Sequence, residues 1–386
     1  MDQAMRACTL TQLLPQKKLS DLAARLGMDK GVTRLPTRKL LDVLVAGAVF
    51  ERTSLRDLEQ SYGVPRSTLD DALARRSSVF FAEACALAGR ELLGAGGGRR
   101  QRANVRCLLA MDSSCCHVHG SLARHASLRT PGGDAAAAVK LHAVWNVEGE
   151  WVEGFSVTGA RRNDAAVAKG FRFAGGKTYV FDRGYADVAL WLRIEAAGSH
   201  FVSRLVRNGR RLDEVHRAHV AGNDSSGVLY DGPWGASDTS TLRLGLARRS
   251  VRHRHVVYRD PLTGKLFDFV TSDFEMGAQE VADVYRKRWS VELLFRWLKG
   301  HLNIRRFATR NLNAARTLLS VAVLVQLLVR LKKARQGLRL SNWDVLRALR
   351  NAPSPEAAER RLRGGPPGAG GPRAAPGAET DGRPPS

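Results

Sequence analysis

The sequence predicts an α/β protein in which an all-helical N-terminal domain precedes a core of strands and helices, interrupted by a β-rich insertion. Three observations support this prediction. Residues 1 to 100 carry apolar side chains at helical spacing, residues 101 to 206 alternate short apolar runs with helical segments, and residues 207 to 267 contain short alternating segments separated by turn-forming residues. A length of 386 residues accommodates two or three domains with a substantial core.

The chain is strongly basic, with 61 Lys and Arg against 37 Asp and Glu and a formal net charge of +24. Such a charge indicates a polyanionic partner, most often nucleic acid. A membrane surface is the competing partner, but the longest apolar run, Leu318 to Val329, is too short to span a bilayer and contains Gln326. We therefore expect no membrane association. Five cysteines and a start without the features of a signal peptide predict a cytoplasmic protein with reduced thiols.

The N-terminal segment, residues 1 to 100, contains a candidate helix-turn-helix. Ser54 to Tyr62 and Arg66 to Arg76 have helical patterns, and Gly63-Val64-Pro65 forms the turn between them. The alternative is an ordinary helical hairpin, because turns that contain Gly are common between helices. The net charge favours DNA binding, and the segment ends at the glycine-rich stretch from Gly94 to Gly98.

The first half of the core, residues 101 to 206, has a recognisable order of elements: strand, strand, strand, helix, strand, helix, strand. The predicted elements are strands at 105–111, 139–145, 151–157, 177–181 and 200–206, and helices at 163–169 and 186–197. This order is that of the ribonuclease-H-like fold, in which the first and fourth strands lie side by side. Asp112 and Asp182 follow those two strands and would meet there, where two carboxylates can share divalent cations.

A second cluster of polar residues lies in the stretch from Tyr285 to Lys299, which has no Gly or Pro and predicts one helix. On such a helix Tyr285, Arg288, Glu292 and Lys299 fall within about 60° of one another. A carboxylate between two cations suits a site that holds both a metal and a phosphate. The alternative is simple i,i+4 pairing of Arg288 with Glu292 on an exposed helix.

The spacing Tyr-x2-Arg-x3-Glu-x6-Lys resembles the YREK signature of the IS-four-type group of DDE transposases of bacterial insertion sequences. Asp112-Ser113-Ser114 and Asp182-Arg183-Gly184-Tyr185 resemble the two aspartate motifs of that family, and Lys140-Leu141-His142 resembles its Lys-x-His. The resemblance covers about residues 40 to 335. A turn residue after a strand remains the ordinary explanation for either aspartate taken alone.

The resemblance implies a function in DNA transposition. Asp112, Asp182 and Glu292 would be catalytic and would hold two Mg²⁺ (or Mn²⁺) ions, while Tyr285, Arg288 and Lys299 would bind the terminal DNA phosphates. It further implies cleavage at the ends of the element through a hairpin intermediate, strand transfer into target DNA, and a homodimer on paired ends. Two alternatives stay open: a catalytically inactive DNA-binding relic, and a ribonuclease-H-like nuclease without strand transfer.

A rival metal site is conceivable in Cys115-Cys116-His117-Val118-His119, because Cys and His at short spacing can bind zinc. A structural zinc site usually draws a second pair of ligands from elsewhere, and no CxxC or HxxxH partner is present in the sequence. We therefore predict oxygen-bound hard cations rather than zinc.

The remaining segments complete the predicted organisation. Residues 207 to 267 form the insertion, whose arginines predict DNA contact and whose Trp234 could either stack on a base or pack in a core. Residues 268 to 340 form the second half of the core, and residues 341 to 351 a C-terminal helix. The Gly- and Pro-rich segment from 352 to 386 predicts a disordered tail. The insertion arginines are Arg204, Arg207, Arg210, Arg211, Arg248, Arg249, Arg252 and Arg254.

Overall fold

The structure is a computed structural model that describes residues 9–52, 54–96, 107–123, 127–129, 135–205, 227–234, 252–302, 304 and 309–364. Its described strands are β1 (Cys107–His117), β2 (Ser127–Arg129), β3 (Ala135–Asn146), β4 (Trp151–Gly159), β5 (Lys177–Phe181), β6 (His200–Arg204), β7 (Val228–Trp234), β8 (His253–Arg259) and β9 (Leu266–Thr271). Its described helices are α1 (Gln16–Arg25), α2 (Thr37–Val49), α3 (Leu55–Tyr62), α4 (Arg66–Arg75), α5 (Val79–Gly94), α6 (Asp164–Ala168), α7 (Val188–Ala196), α8 (Ala278–Lys287), α9 (Ser290–His301), α10 (Leu312–Gln336), α11 (Asn342–Asn351) and α12 (Pro355–Arg363).

The nine strands form one mixed sheet in the order β2-β3-β1-β5-β6-β9-β8-β7, with β4 also paired to β3. β1 runs antiparallel to β3 and parallel to β5, with Met111 opposite Phe181 at the end of the parallel pairing. The adjacency of the strands that precede Asp112 and Asp182 is therefore present, as the sequence predicted.

The first strand is longer than predicted. The sequence placed its end at Met111, whereas β1 continues through Asp112 to His117. Residues from Asp112 onward keep their partners on β3, but β5 ends at Phe181 and leaves the other edge of β1 unpaired there. Asp112 thus lies inside a strand, at the point where its parallel partner stops.

The described strands of the predicted insertion do not form a separate sheet. β7 pairs with β8, β8 pairs with β9, and β9 pairs with β6, so the insertion extends the central sheet. The predicted boundary at 267 falls within β9. Most of the insertion arginines (Arg207, Arg210, Arg211, Arg248 and Arg249) lie outside the described residues.

Alternating side chains of the sheet face two different layers of helices. Odd-numbered residues of β1, such as Met111, pack with α6 and α7. Even-numbered residues, such as Ala110, pack in a larger core with α9, α10 and the N-terminal helices. The N-terminal helices therefore share their core with the rest of the protein.

The candidate helix-turn-helix forms two helices, α3 and α4, joined through Gly63 in the left-handed region with φ of 64°. The Ser54 hydroxyl accepts the Asp57 amide and caps α3. The exposed face of α4 carries Asp70 and Asp71 as well as Arg66 and Arg75, and Arg75 pairs with Asp71 at 2.6 Å. DNA binding by this pair of helices stays a prediction, and the mixed charge of α4 does not add to it.

The C-terminal segment is partly helical, which corrects the prediction of a disordered tail from 352. Ser354 caps α12 by accepting the Ala357 amide, and Leu362 is 2% exposed. Glu359 of α12 forms an ion pair with Lys332 of α10. Residues 365 to 386 lie outside the described residues.

Helix α10 is the central helix of the larger core. It is long and apolar enough to cross a membrane, but 78% of its most apolar window is buried inside the protein, as expected for a core helix. Its Gln326, fully buried, donates to the Glu150 carbonyl at 2.9 Å and accepts the Val152 amide at 3.4 Å. The amide side chain thus anchors the turn between β3 and β4 to the core.

Replacing Gln326 with Leu should lower the free energy of unfolding by about 1 to 3 kcal/mol, because a buried carbonyl and a buried amide lose their partner. Urea unfolding of both proteins at pH 7 measures the difference. The matched control is Gln336→Leu at the exposed end of the same helix, for which we expect a change within about 0.5 kcal/mol. Equal loss in both variants would contradict a specific role for Gln326.

Candidate active site

Asp112 and Asp182 lie at the same edge of adjacent parallel strands. Asp182 directly follows β5, and its Oδ1 accepts the Gly184 amide at 2.8 Å, capping a short 3₁₀ turn. Asp112 Oδ1 accepts the Ser113 amide at 2.7 Å. The two carboxylates are close enough for the charge of Asp182 to raise the pKa of Asp112.

The predicted helix from Tyr285 to Lys299 is in fact two helices, α8 and α9, and the break falls at Arg288 and Trp289. The amides of Arg288 and Trp289 bond to carbonyls three residues earlier, at 3.0 and 3.2 Å, so the chain tightens into 3₁₀ geometry. Because no Gly or Pro marks the position, the sequence alone gave no sign of this break. Tyr285 therefore lies on α8 and Glu292 on α9.

Arg288, at the junction, links two of the three predicted catalytic carboxylates. Its guanidinium donates to Asp112 Oδ2 at 3.2 Å and to Glu292 Oε1 at 2.7 Å. The Arg288 side chain is 13% exposed and the Asp112 side chain 22% exposed. The i,i+4 pair of Arg288 with Glu292, the ordinary alternative, is present. It is not on an exposed helix face, however, because Arg288 is largely buried and also bonds to Asp112 of β1.

The pKa of Asp112 rises from 3.8 to about 6. Burial is the largest cause, and the negative charges of Asp182 and Glu292 act in the same direction. The Ser113 amide and the Arg288 guanidinium partly offset these effects. Asp112 therefore lies in a half-buried place that disfavours its ionisation, near enough to Asp182 and Glu292 for their charges to act on it.

Tyr285 and Lys299 occupy the two ends of the predicted tetrad. The Tyr285 ring packs on Phe269 with ring centroids 4.7 Å apart, and the Arg288 guanidinium carbon lies 5.6 Å from the centre of the Tyr285 ring. Lys299 lies seven residues beyond Glu292, about 10 Å along α9. Its positive charge acts on the thiols of Cys115 and Cys116 near the end of β1.

One carboxylate near this edge, Asp164 at the start of α6, is not among the residues predicted from the sequence. Its Oδ1 accepts the Ser113 hydroxyl at 2.8 Å and the Lys140 ammonium at 3.1 Å, and it lies 3.4 Å from His142 Nδ1. Burial lowers the pKa of His142 to about 4, so the imidazole is neutral at pH 7. The Lys-x-His pattern on β3 was the available signal, since it places both side chains on Asp164.

The donor chemistry of the site fits hard divalent cations. Asp112, Asp182 and Glu292 offer carboxylate oxygens, which Mg²⁺ and Mn²⁺ prefer. Within the described ranges no three metal-ligating side chains converge on one point, and the Arg288 guanidinium bonds to both Asp112 and Glu292.

The Cys115–His119 stretch does not provide a zinc site among the described residues. Burial raises the pKa of Cys116 to about 12 and also raises the pKa of Cys115. Both thiols are thus protonated near neutral pH, whereas zinc binds the thiolate.

Trp234, which the sequence left undecided, packs at the end of β7 against Trp191 and His253. The ring centroids lie 5.3 Å from Trp191 and 5.7 Å from His253. The ring is a half-buried part of the smaller core.

We expect Asp112→Asn to raise the stability of the metal-free protein at pH 7 by up to about 3 kcal/mol, because a carboxylate with a raised pKa is costly to ionise. The folded state holds the Asp112 proton more tightly than the unfolded chain, so wild-type stability falls as pH rises from 3.8 to about 6. The gain should therefore vanish below pH 3.8. Urea unfolding in chelator across this pH range measures it.

The control for this measurement is Asp283→Asn, a carboxylate of α8 that is 47% exposed and paired with Arg286. We expect that variant to change stability by no more than about 0.5 kcal/mol at any pH. A gain for Asp112→Asn that is independent of pH would show that ionisation is not its cause.

Comparison with known proteins places these features in a family. Residues 103–328 match the family described as transposase DDE domain. A putative transposase, y4zB, of Sinorhizobium fredii (strain NBRC 101917 / NGR234) is 30% identical over 266 residues, which are 68% of this chain and 70% of that protein. A probable transposase for insertion sequence element IS5377 of Geobacillus stearothermophilus is 25% identical over 329 residues, 83% of each chain.

A third relative extends the same pattern. The putative transposase for insertion sequence element IS4SA of Synechocystis sp. (strain ATCC 27184 / PCC 6803 / Kazusa) is 23% identical over 171 residues, 44% of this chain and 45% of that protein. The matched family segment contains Asp112, Asp182 and Glu292. The chain therefore belongs to the DDE transposases of the IS4 type, enzymes that act on DNA by cleavage and strand transfer.

Proposed function

We propose that this transposase binds the inverted-repeat ends of an insertion sequence, cuts them and joins them to target DNA by two-metal phosphoryl transfer. The observation that carries the proposal is the Arg288 guanidinium, which bonds to both Asp112 and Glu292 beside the edge of β1, where the charge of Asp182 also acts on Asp112. The strand order β4-β3-β1-β5-β6, with β1 parallel to β5, supports a ribonuclease-H-like core.

In this proposal Asp112, Asp182 and Glu292 hold two Mg²⁺ (or Mn²⁺) ions. When bound, the ions activate water or a 3′-hydroxyl and stabilise the leaving 3′-oxygen. The protein supplies no covalent nucleophile, so its own contribution is position and charge.

In this proposal Tyr285, Arg288 and Lys299 bind the DNA. Arg288, once the cations take its carboxylate partners, has a guanidinium fork suited to a phosphate. Lys299 supplies a second positive charge farther along α9, and the Tyr285 phenol lies beside Arg288. We infer that these three side chains bind the terminal phosphates of the element, including a hairpin intermediate.

The partner and assembly follow from the same proposal. The net charge of +24 suits a DNA partner. We infer a homodimer that bridges two transposon ends in the bacterial cytoplasm. Sedimentation of the protein with end DNA tests this, and a complex with one protein chain and one DNA end would contradict it.

We expect Asp112→Asn, Asp182→Asn and Glu292→Gln each to abolish cleavage of end DNA in Mg²⁺ while sparing DNA binding. These changes remove cation ligands, whereas phosphate contacts depend on positive side chains elsewhere. Gel-based cleavage and mobility-shift assays on the same DNA measure the two activities. Asp283→Asn is the matched control and should cleave normally, and retained cleavage in any of the three variants would refute its assignment.

Two rival functions are separated by the same assay. Metal-dependent cleavage distinguishes the enzyme from an inactive DNA-binding relic. Joining of cut ends to a target plasmid distinguishes a transposase from a nuclease of the same fold. The Tyr285–Lys299 pattern favours the transposase, since a simple nuclease has no need to hold a transposon end.

The substrate for these assays comes from the DNA on both sides of the gene. We expect short inverted repeats bounded by a direct duplication of target sequence. Finding neither would favour an orphaned copy and raise the DNA-binding relic above the enzyme.

A further inference from the structure

A chain of hydrogen bonds lies behind the two aspartates, on the opposite face of the sheet from Glu292. Side chains alternate along β1, so Asp112 faces α9 whereas Ser113 faces α6. The Ser113 hydroxyl and the Lys140 ammonium both donate to Asp164 Oδ1, at 2.8 and 3.1 Å. This Asp164–Ser113 network lies on the α6 side of the sheet, where the Tyr185 ring also packs.

This network joins the segments that carry the two aspartates. Ser113 directly follows Asp112, and Tyr185 closes the 3₁₀ turn that Asp182 begins, with its amide bonded to the Asp182 carbonyl at 3.1 Å. Tyr185 is 2% exposed and packs against Phe181 at the end of β5, with ring centroids 5.8 Å apart. Tyr185 also packs with Ala165 and Ala168 of α6, so the Ser113–Asp164 bond links the residue after one aspartate to the turn after the other.

The network lies just beyond the last paired residues of the two strands. Pairing between β1 and β5 ends at Met111 and Phe181, so Asp112 and Asp182 are each the first residue past the paired stretch. Side-chain bonds to Asp164 add to the sheet pairing at that edge. Lys140 of β3, the strand on the other side of β1, donates to Asp164, and the neutral His142 ring lies beside the same carboxylate.

Asp164 also lies beside the turn that holds Asp182. A Cβ added at Gly184 would stand 3.1 Å from Asp182 Oδ1 and 3.9 Å from Asp164 Oδ2. Both carboxylates thus lie beside the same glycine. A side chain at this position would crowd Asp182 and would be in ordinary contact with Asp164.

We propose that the Asp164–Ser113 network, with α6 packed on the turn that follows Asp182, is a positioning device that fixes the separation of Asp112 and Asp182 for cation binding. The inference rests on the proposed metal-dependent function. Mg²⁺ demands near-ideal octahedral geometry with oxygens at about 2.0–2.1 Å, so small displacements of either carboxylate weaken binding. Such supporting residues typically change metal affinity by roughly 10- to 100-fold when they are mutated.

The test measures cation binding directly, apart from catalysis. Full-length wild type and the variants Ser113→Ala and Asp164→Asn are titrated with Mn²⁺, and bound metal is followed by loss of the free-ion EPR signal. Mn²⁺ takes the same oxygen ligands as Mg²⁺. The Mg²⁺ concentration for half-maximal cleavage of end DNA is measured in parallel.

The matched control is Asp187→Asn. Asp187 also begins a helix, is 29% exposed and pairs with Lys169 at 2.9 Å, much as Asp164 is 25% exposed and pairs with Lys140 at 3.1 Å. It caps α7 through the Leu190 amide and does not contact the network. Asp112→Asn serves as the variant that should lose cation binding.

We expect each network variant to weaken Mn²⁺ binding by roughly 10-fold or more and to raise the Mg²⁺ requirement by a similar factor, with Asp187→Asn unchanged. A purely structural role would instead lower the folded fraction and leave the metal titration of the remaining enzyme unchanged, which would overturn the proposal. If wild type binds no Mn²⁺ and cleaves nothing, the proposed function itself fails. If wild type does both and the variants match it, only the positioning role fails.

Discussion

The Arg288 guanidinium compensates the negative charges of Asp112 and Glu292, and the rest of the site depends on these two bonds. Asp112 and Glu292 come from a strand and a helix that are 180 residues apart in the sequence, and the guanidinium bonds to both. Without it, carboxylates that already raise the pKa of Asp112 would face one another uncompensated in a half-buried place. The junction between α8 and α9 makes both bonds possible. Arg288 lies in the 3₁₀ turn and reaches Asp112 on β1, while Glu292 lies on the following helix.

A second constraint sets the aspartates, and it acts through the sheet. Parallel pairing brings β1 and β5 together with Met111 opposite Phe181, so the residues after them share one edge. From Asp112 onward β1 keeps its partners on β3, whereas its register with β5 ends at Met111. Charge on one face of the sheet, from Arg288, and hydrogen bonds on the other, from Ser113 and Asp164, stabilise that edge together.

Much of this arrangement was predictable because it depends on local patterns. Apolar runs that end in polar residues identified the strands before Asp112 and Asp182, and their order gave the correct neighbours. The break at Arg288 was not predictable, because no Gly or Pro interrupts the stretch from Tyr285 to Lys299. The break coincides with the tertiary ion pair between Arg288 and Asp112. The extension of the sheet by β7 and β8 and the helix α12 were missed for the same reason, because distant packing partners stabilise them. Asp164 escaped notice because a carboxylate after an asparagine cap looks like an ordinary helix start.

Helix α9 also ties the site to the C-terminal helices. Its buried side holds Leu294 and Leu298 in the larger core, while its last residue, His301, stacks on Trp343 of α11 with ring centroids 4.1 Å apart. Arg350 of the same helix donates to the His301 carbonyl at 2.6 Å and to the Val49 carbonyl at the end of α2. Movement of Glu292 along the axis of α9 would therefore disturb α2 and α11 together. Glu292 is thus fixed by the contacts of α9 with several helices, whereas Arg288 lies at the junction of two helices.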